Sequence, residues 1–202
     1  MLQAQTTSPE LLELLKKLMK DDFFKNFNLV GGTSLALQLG HRNSVDLDLF
    51  GNQNIDKDIF EIKLKELGKV EVKQSTKNIF ISSINHIKVD FVNYNYPLLK
   101  EAKTIENIRL ASLEDIAAMK LNAIMGRGSR KDFIDLYFLL NEFSMKEILN
   151  FYNQKYTDGS QFLVLKSLVY FDDADVQPQP KMFKDFDWEN CKKTILEQVV
   201  KL

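Results

Sequence analysis

Hydrophobic positions along the first hundred residues change period several times. Ser8-Pro9-Glu10 opens a helix with Pro at its first position, and Leu11, Leu12, Leu14, Leu15 and Leu18 give it an apolar stripe as far as Lys20. An apolar run then reads as a strand ending on Gly31-Gly32, followed by a short apolar helix from Thr33 to about Leu39 and a turn at Gly40. From Val45 to Phe50 the period drops to two: Val45, Leu47 and Leu49 face one side, and Asp46 and Asp48 face the other. Asp56 to Leu67 reads as a helix stopped at Gly68. Val70 to Val72, Asn78 to Ile84 and Ile87 to Val92 read as three strands of an antiparallel meander.

Helical spacing dominates thereafter. Ser112 is placed to cap a helix with acids in its first turn and a core face of Leu113, Ile116, Ala117 and Ile124 that also passes through Lys120. Gly126-Arg127-Gly128 breaks it, and Ser129 to Phe143 forms the next helix. Met145 to Tyr156, Ser160 to Tyr170 and Trp188 to Leu202 continue the pattern, the last with Asp187 as N-cap. Phe171 to Pro180, with Asp172, Asp173 and Asp175, reads as a solvated connector without the ordered spacing of a calcium loop. The expected architecture is α/β (α+β): a small mixed sheet flanked by helices over residues 1–104, and a helical region packed on that core over residues 105–202.

Composition narrows the class. A net charge of −1 argues against nonspecific coating of nucleic acid, although it allows a local basic site. One Cys and two His supply neither a disulfide nor a zinc-ligand set. No signal-like or membrane-spanning run is visible, so a cytoplasmic protein without membrane association is expected.

The chemistry concentrates between Leu29 and Phe50. Gly31, Gly32, Thr33 and Ser34 form a turn at a helix N-terminus, where amides and hydroxyls favour an anion such as phosphate. Asp46 and Asp48 sit two residues apart on one strand face, with Cα atoms ~6.5 Å apart. At an effective dielectric near ~20 the repulsion is roughly 2.5 kcal/mol, so a hard divalent cation is the natural compensation. In the third meander strand Lys88 and Asp90 share the face opposite Ile87, Val89 and Phe91. Asp90 therefore repeats the acidic pattern, and reads either as a partner of the first two acids or as a solvent-facing acid on an edge strand.

Gly31-Gly32, thirteen intervening residues, then Asp46-Leu47-Asp48-Leu49 resembles the signature of the polymerase-beta-type nucleotidyltransferases. The fuller run through His41-Arg42 and Ser44 to Phe50, with Ala118-Met119-Lys120-x-x-Ala123, Arg127 and Arg130-Lys131-Asp132-Phe133-x-Asp135-Leu136, is similar to the AbiEii/AbiGii-type nucleotidyltransferase toxins of abortive-infection and toxin–antitoxin systems. That resemblance implies transfer of a nucleoside monophosphate from an NTP to a hydroxyl acceptor, with RNA, including the tRNA 3′ end, as the expected acceptor and a cognate antitoxin as partner. It implies Mg²⁺ or Mn²⁺ on Asp46, Asp48 and Asp90 as metal-binding catalytic carboxylates, with Asp90 as general base. Gly31, Gly32, Thr33 and Ser34, with Lys120, Arg42 and Lys131, are then expected on the nucleotide phosphates, supported by Asp132 and Asp135. Related folds adenylylate antibiotics, and a nucleotide- or metal-binding module without turnover is the third reading.

Several residues keep two readings. Lys120 and Lys131 either contact phosphates or pair with Asp135 or Glu114; Arg42 either contacts phosphate or lies in a solvated turn. His41 and His86 read as turn residues rather than catalysts. Asp132 reads as a structural acid, and Asp135 on an apolar helix needs a partner that Lys120, Arg127 or Lys131 could supply.

Overall fold

Seven strands form one mixed sheet in the computed structural model, which describes residues 1–202. They are β1 (Phe27–Val30), β2 (Asp46–Gly51), β3 (Val70–Ser75), β4 (Ile79–Ile84), β5 (Ile87–Asn93), β6 (Lys103–Ile105) and β7 (Ile108–Leu110), in the order β3-β4-β5-β2-β1-β7-β6. The helices are α1 (Pro9–Lys20), α2 (Gly31–Leu39), α3 (Lys57–Lys65), α4 (Leu113–Gly126), α5 (Arg130–Leu139), α6 (Met145–Lys155), α7 (Gln161–Leu168), α8 (Asp172–Asp175) and α9 (Trp188–Val200). None is long and apolar enough to cross a membrane.

The expected meander forms: β3, β4 and β5 pair antiparallel, and the tight β4–β5 turn places Asn85 and His86 at φ 48° and 69°. The meander delivers β5 to the open edge of β2, where the two strands run parallel. β2 pairs antiparallel with β1, which pairs parallel with β7.

Each sheet face covers its own core. Leu47 and Leu49 of β2, Val89 and Phe91 of β5, and Phe27 and Leu29 of β1 pack with α1 and α3 in a cluster of 21 buried residues. Phe91 meets Phe24 at 5.0 Å and Phe27 at 5.2 Å between ring centroids, which anchors β5 in this core. The opposite face carries Val30 and faces the helical half, whose cluster of 25 buried residues runs from α2 through α4, α5 and α6 to α9. Alternation then dictates that Asp46, Asp48 and Phe50 of β2, Lys88 and Asp90 of β5, and Asn28 of β1 share this second face.

Helix caps at Ser8, Ser112 and Asp187 form as the sequence indicates, with side-chain oxygens accepting from Leu11, Asp115 and Asn190 amides. Three features differ. A β6–β7 hairpin turning at Glu106-Asn107 extends the sheet past residue 104, where the sequence places the boundary; strands of three residues are too short to show a period. The connector after Phe171 contains α8, held because Asp175 accepts hydrogen bonds from Trp188 Nε1 at 2.6 Å and Lys192 Nζ at 3.0 Å. The helix after β1 begins at Gly31 rather than Thr33.

Candidate active site

In the parallel β2–β5 pair, Asp48 lies directly opposite Asp90 and Asp46 opposite Lys88. Lys88 Nζ sits 2.7 Å from Asp90 Oδ2, while Asp90 Oδ1 is buried without a hydrogen-bond partner. Burial, reinforced by the Asp90 charge, pushes the Asp48 carboxyl above its ordinary range despite the opposing pull of Lys88 and Lys120. Part of the repulsion among these acids is thus offset by a lysine on the same face. No three His, Cys, Asp or Glu side chains close around a single point: Asp48 and Asp90 converge, and Asp46 stands one step further along β2.

The glycine turn sits over this pair. Gly31 has φ +67°, which a side chain adopts only with strain, and a Cβ there would overlap Asp48 Oδ2. A Cβ on Gly32 would overlap Arg42 Nη2. Thr33 and Ser34 are buried. The Thr33 hydroxyl donates to the Asp46 carbonyl and shares a 2.8 Å hydrogen bond with Ser44, and Ser34 Oγ accepts from Gln38 Nε2 at 3.2 Å. The Thr33 hydroxyl therefore ties α2 to β2 and the turn before it, the Ser34 hydroxyl is engaged within α2 itself, and the turn presents the main chain of Gly31 and Gly32 to the cleft.

Across the cleft stands an ionic network that is buried except for Arg127. Asp135 of α5 accepts from Arg42 Nε and Nη2, each at 2.7 Å, and from His41 Nε2 at 2.8 Å, and lies 2.5 Å from Lys120 Nζ. Burial alone would raise the Asp135 carboxyl, but the charges of Arg42 and Lys120 outweigh it and hold the group well below its usual range. Asp132 accepts from Lys120 Nζ at 3.1 Å, Arg127 Nε at 2.8 Å and Ser129 Oγ at 2.7 Å, and is lowered by Lys120 and Arg127 in the same way, again against burial. Arg42, Lys120 and Arg127 face two carboxylates here, leaving one positive charge in excess toward Asp48.

The placements separate the double readings. Lys120 pairs with both Asp132 and Asp135 yet still lines the cleft. Arg42 is 2% exposed, so the solvated-turn reading is replaced by a buried clamp on Asp135. His41 is fully buried with its basicity lowered, chiefly by burial, and is a partner of Asp135 rather than a simple turn residue. Arg127 goes to Asp132 instead of Asp135, and Lys131 reaches the cleft from an exposed position without an ion pair. Lys88 went unassigned in the sequence; the signal was its place two residues before Asp90 on the same strand face.

Two hollows meet at Gly32, Asp48, Lys120 and Arg127. One, of about 330 Å³, has an entirely polar lining that includes Ser44, Asp46, Ser129 and Lys131. The other, of about 200 Å³, is walled by Val30, Phe50, Tyr94, Ile116, Met119 and Tyr156.

A mixed sheet that carries paired acids beneath a glycine turn is the nucleotidyltransferase fold, and solved structures agree. MenT4, a nucleotidyltransferase toxin from Mycobacterium tuberculosis, superposes with a TM-score of 0.63 at 15% identity, covering 96% of this chain and 83% of its own. JHP933 from Helicobacter pylori gives 0.59 at 18%, covering 95% and 88%. The antibiotic-resistance factor ANT(2'')-Ia gives 0.57 at 14%, covering 73% and 92%. Over residues 13–201 the sequence matches the family described as "Nucleotidyl transferase AbiEii toxin, Type IV TA system", and the chain belongs to that family. It is also 34% identical over 198 residues, 94% of each chain, to an uncharacterized protein of Aquifex aeolicus (strain VF5).

Proposed function

We propose that the protein transfers a nucleoside monophosphate from an NTP to a hydroxyl on an RNA acceptor, such as a tRNA 3′ end, and acts as the toxin of a toxin–antitoxin pair. The observation that carries this reading is the register of Asp48 against Asp90 beneath the Gly31-Gly32 turn, with Lys120 and Arg127 facing them. In the transfer, the acceptor oxygen bonds to the α-phosphorus, the bond to the pyrophosphate oxygen breaks, and the hydroxyl proton leaves to a base.

Main-chain amides of the first α2 turn suit phosphate oxygens, and Arg127 and Lys131 add positive charge where pyrophosphate accumulates it. Lys120 sits where the polar and apolar hollows meet, close enough to act on Asp48 electrostatically. Arg42 contributes through Asp135, holding the wall that carries Lys120. Asp90 Oδ1, the partnerless carboxylate oxygen, is available to take the acceptor proton.

The acidic set fits a divalent cation of the magnesium type. Such an ion is commonly bound by one or two carboxylates together with substrate phosphates rather than by a closed protein cage, and Asp48 and Asp90 offer that pair, with Asp46 beside them. Held there, Mg²⁺ or Mn²⁺ would supply Lewis-acid polarisation of the α-phosphate and neutralisation of the pyrophosphate. The testing experiment incubates the protein with each labelled NTP, Mg²⁺ and total RNA. Label entering a discrete RNA pool supports the reading, and label entering none opposes it.

A further inference from the structure

The strand face that carries the acids does not end at Asp48. Two residues on it presents Phe50, and β1 places Asn28 directly opposite Phe50. Here a third hollow, of about 350 Å³, adjoins the apolar one, with Phe50 and Tyr94 lining both. Phe50, Tyr94 and Tyr96 form an aromatic strip, with successive ring centroids at 4.9 and 5.4 Å, and all three are half-buried.

Around the strip stand Asn28, Asn52 and Asn95, whose side-chain amides make no hydrogen bond within the protein. No carboxylate lines this hollow. Its one cation, Lys155, is fully buried and committed to Asp115 Oδ1 at 2.7 Å and the Pro97 carbonyl at 2.8 Å. A neutral hollow of this kind suits neither a phosphate nor a metal ion. Aromatic rings tilted 47° and 56° to one another and edged by unpaired amides, each offering both a donor and an acceptor, suit the apolar body and the polar edge of a nucleobase.

We infer that the hollow between Phe50, Tyr94 and Tyr96, edged by Asn28, Asn52 and Asn95, is a nucleobase subsite, one or two residue steps along the sheet from the reacting phosphate. The inference rests on the nucleotidyl-transfer reading. The base belongs either to the incoming NTP or to the end of the acceptor strand. The chemistry is the same in both cases, and the choice sets whether these residues select the donor or the acceptor.

Calorimetric titration of the full chain distinguishes the two. The probes are the four NTPs, inorganic tripolyphosphate and the four homotrinucleotides of RNA, each with Mg²⁺. Two variants are compared with the wild type: Asn52→Ala/Asn95→Ala, which changes only exposed side chains, and Phe50→Leu, which keeps apolar bulk but removes the ring. If the NTP base occupies the hollow, both variants bind at least one NTP tenfold or more weakly and bind tripolyphosphate unchanged. If the acceptor base occupies it, trinucleotide binding falls tenfold and NTP binding holds. Wild-type affinity of both variants for every probe, or a loss that extends equally to tripolyphosphate, overturns the subsite while leaving nucleotidyl transfer standing. A wild type that binds neither NTP nor trinucleotide overturns both.

Discussion

Arg42 clasps Asp135 through two hydrogen bonds of 2.7 Å across a separation of 93 residues, both side chains buried. One partner follows the glycine turn and the other sits on a helix of the C-terminal half, so this pair joins the strand-and-turn side of the site to its basic wall. Removing one partner of a buried pair typically costs about 3–5 kcal/mol, and Lys120 and His41, which still face Asp135, put the cost here at the lower end. Arg42→Ala should lose stability on that scale in urea unfolding, and Arg42→Ala combined with Asp135→Asn should lose much less than the sum of the two single changes. Arg42→Lys should restore little, because an ammonium cannot form the fork. Additive losses would show that the two groups act independently.

The acid limb of stability should fall in two stages. His41 is lowered in the fold, so the unfolded chain takes up the proton first and stability declines as pH drops below the ordinary value of 6.5. Asp132 and Asp135 are also lowered; their contribution is present above the unfolded value of 3.8 and disappears as pH falls further toward their folded values. His41→Asn keeps a donor for Asp135 without a titrating group. Its denaturation midpoint should be flatter than that of wild type between about pH 7 and 5, with the lower stage retained. Identical slopes in that upper window would contradict the buried neutral histidine.

Much of this arrangement was legible in the sequence because it depends on period. Alternation put Asp46 and Asp48 on one face and gave Asp90 the same pattern, and the meander brought β5 back to β2. The caps at Ser8, Ser112 and Asp187 also followed from local chemistry. Long-range pairing was not legible. Nothing near His41 or Arg42 announces Asp135, and the solvated-turn reading of Arg42 failed because tertiary packing, not local composition, buries that turn. Lys120 presented a choice between phosphate and carboxylate that periodicity cannot make, since a lysine in an apolar stripe signals only that its amine reaches either an anion or water. The β6–β7 hairpin was missed because three-residue strands carry no usable repeat.

The two glycines should separate. Gly31→Ala forces a side chain into positive φ and against Asp48, and should cost about 1 kcal/mol or more of stability together with most of the transfer activity. Gly32→Ala pushes instead on the Arg42 guanidinium, so its defect should resemble that of Arg42 substitutions. Combining Gly32→Ala with Arg42→Ala tests this by urea titration: the glycine change should add little once the guanidinium is gone.

Metal linkage provides an independent reading of the acids. Saturating Mg²⁺ or Mn²⁺ should raise the melting temperature of wild type, and Asp46→Asn/Asp48→Asn should lose most of that rise while remaining folded. Lys88→Met removes the cation that now pairs with Asp90 and should tighten apparent Mg²⁺ affinity several-fold in the same assay. An unchanged metal response in the double variant would remove these carboxylates from the binding set.

Nucleotidyl transfer itself is tested by incubating wild type and Asp48→Asn with each NTP labelled at the α-phosphate, Mg²⁺ and total cellular RNA, then resolving the RNA by size. Wild type should label a discrete pool at its 3′ end, with pyrophosphate released in step, and folded Asp48→Asn should reduce that label by at least a hundredfold. RNA labelled equally by both proteins, or by neither under any NTP, would contradict transfer at the Asp48–Asp90 pair.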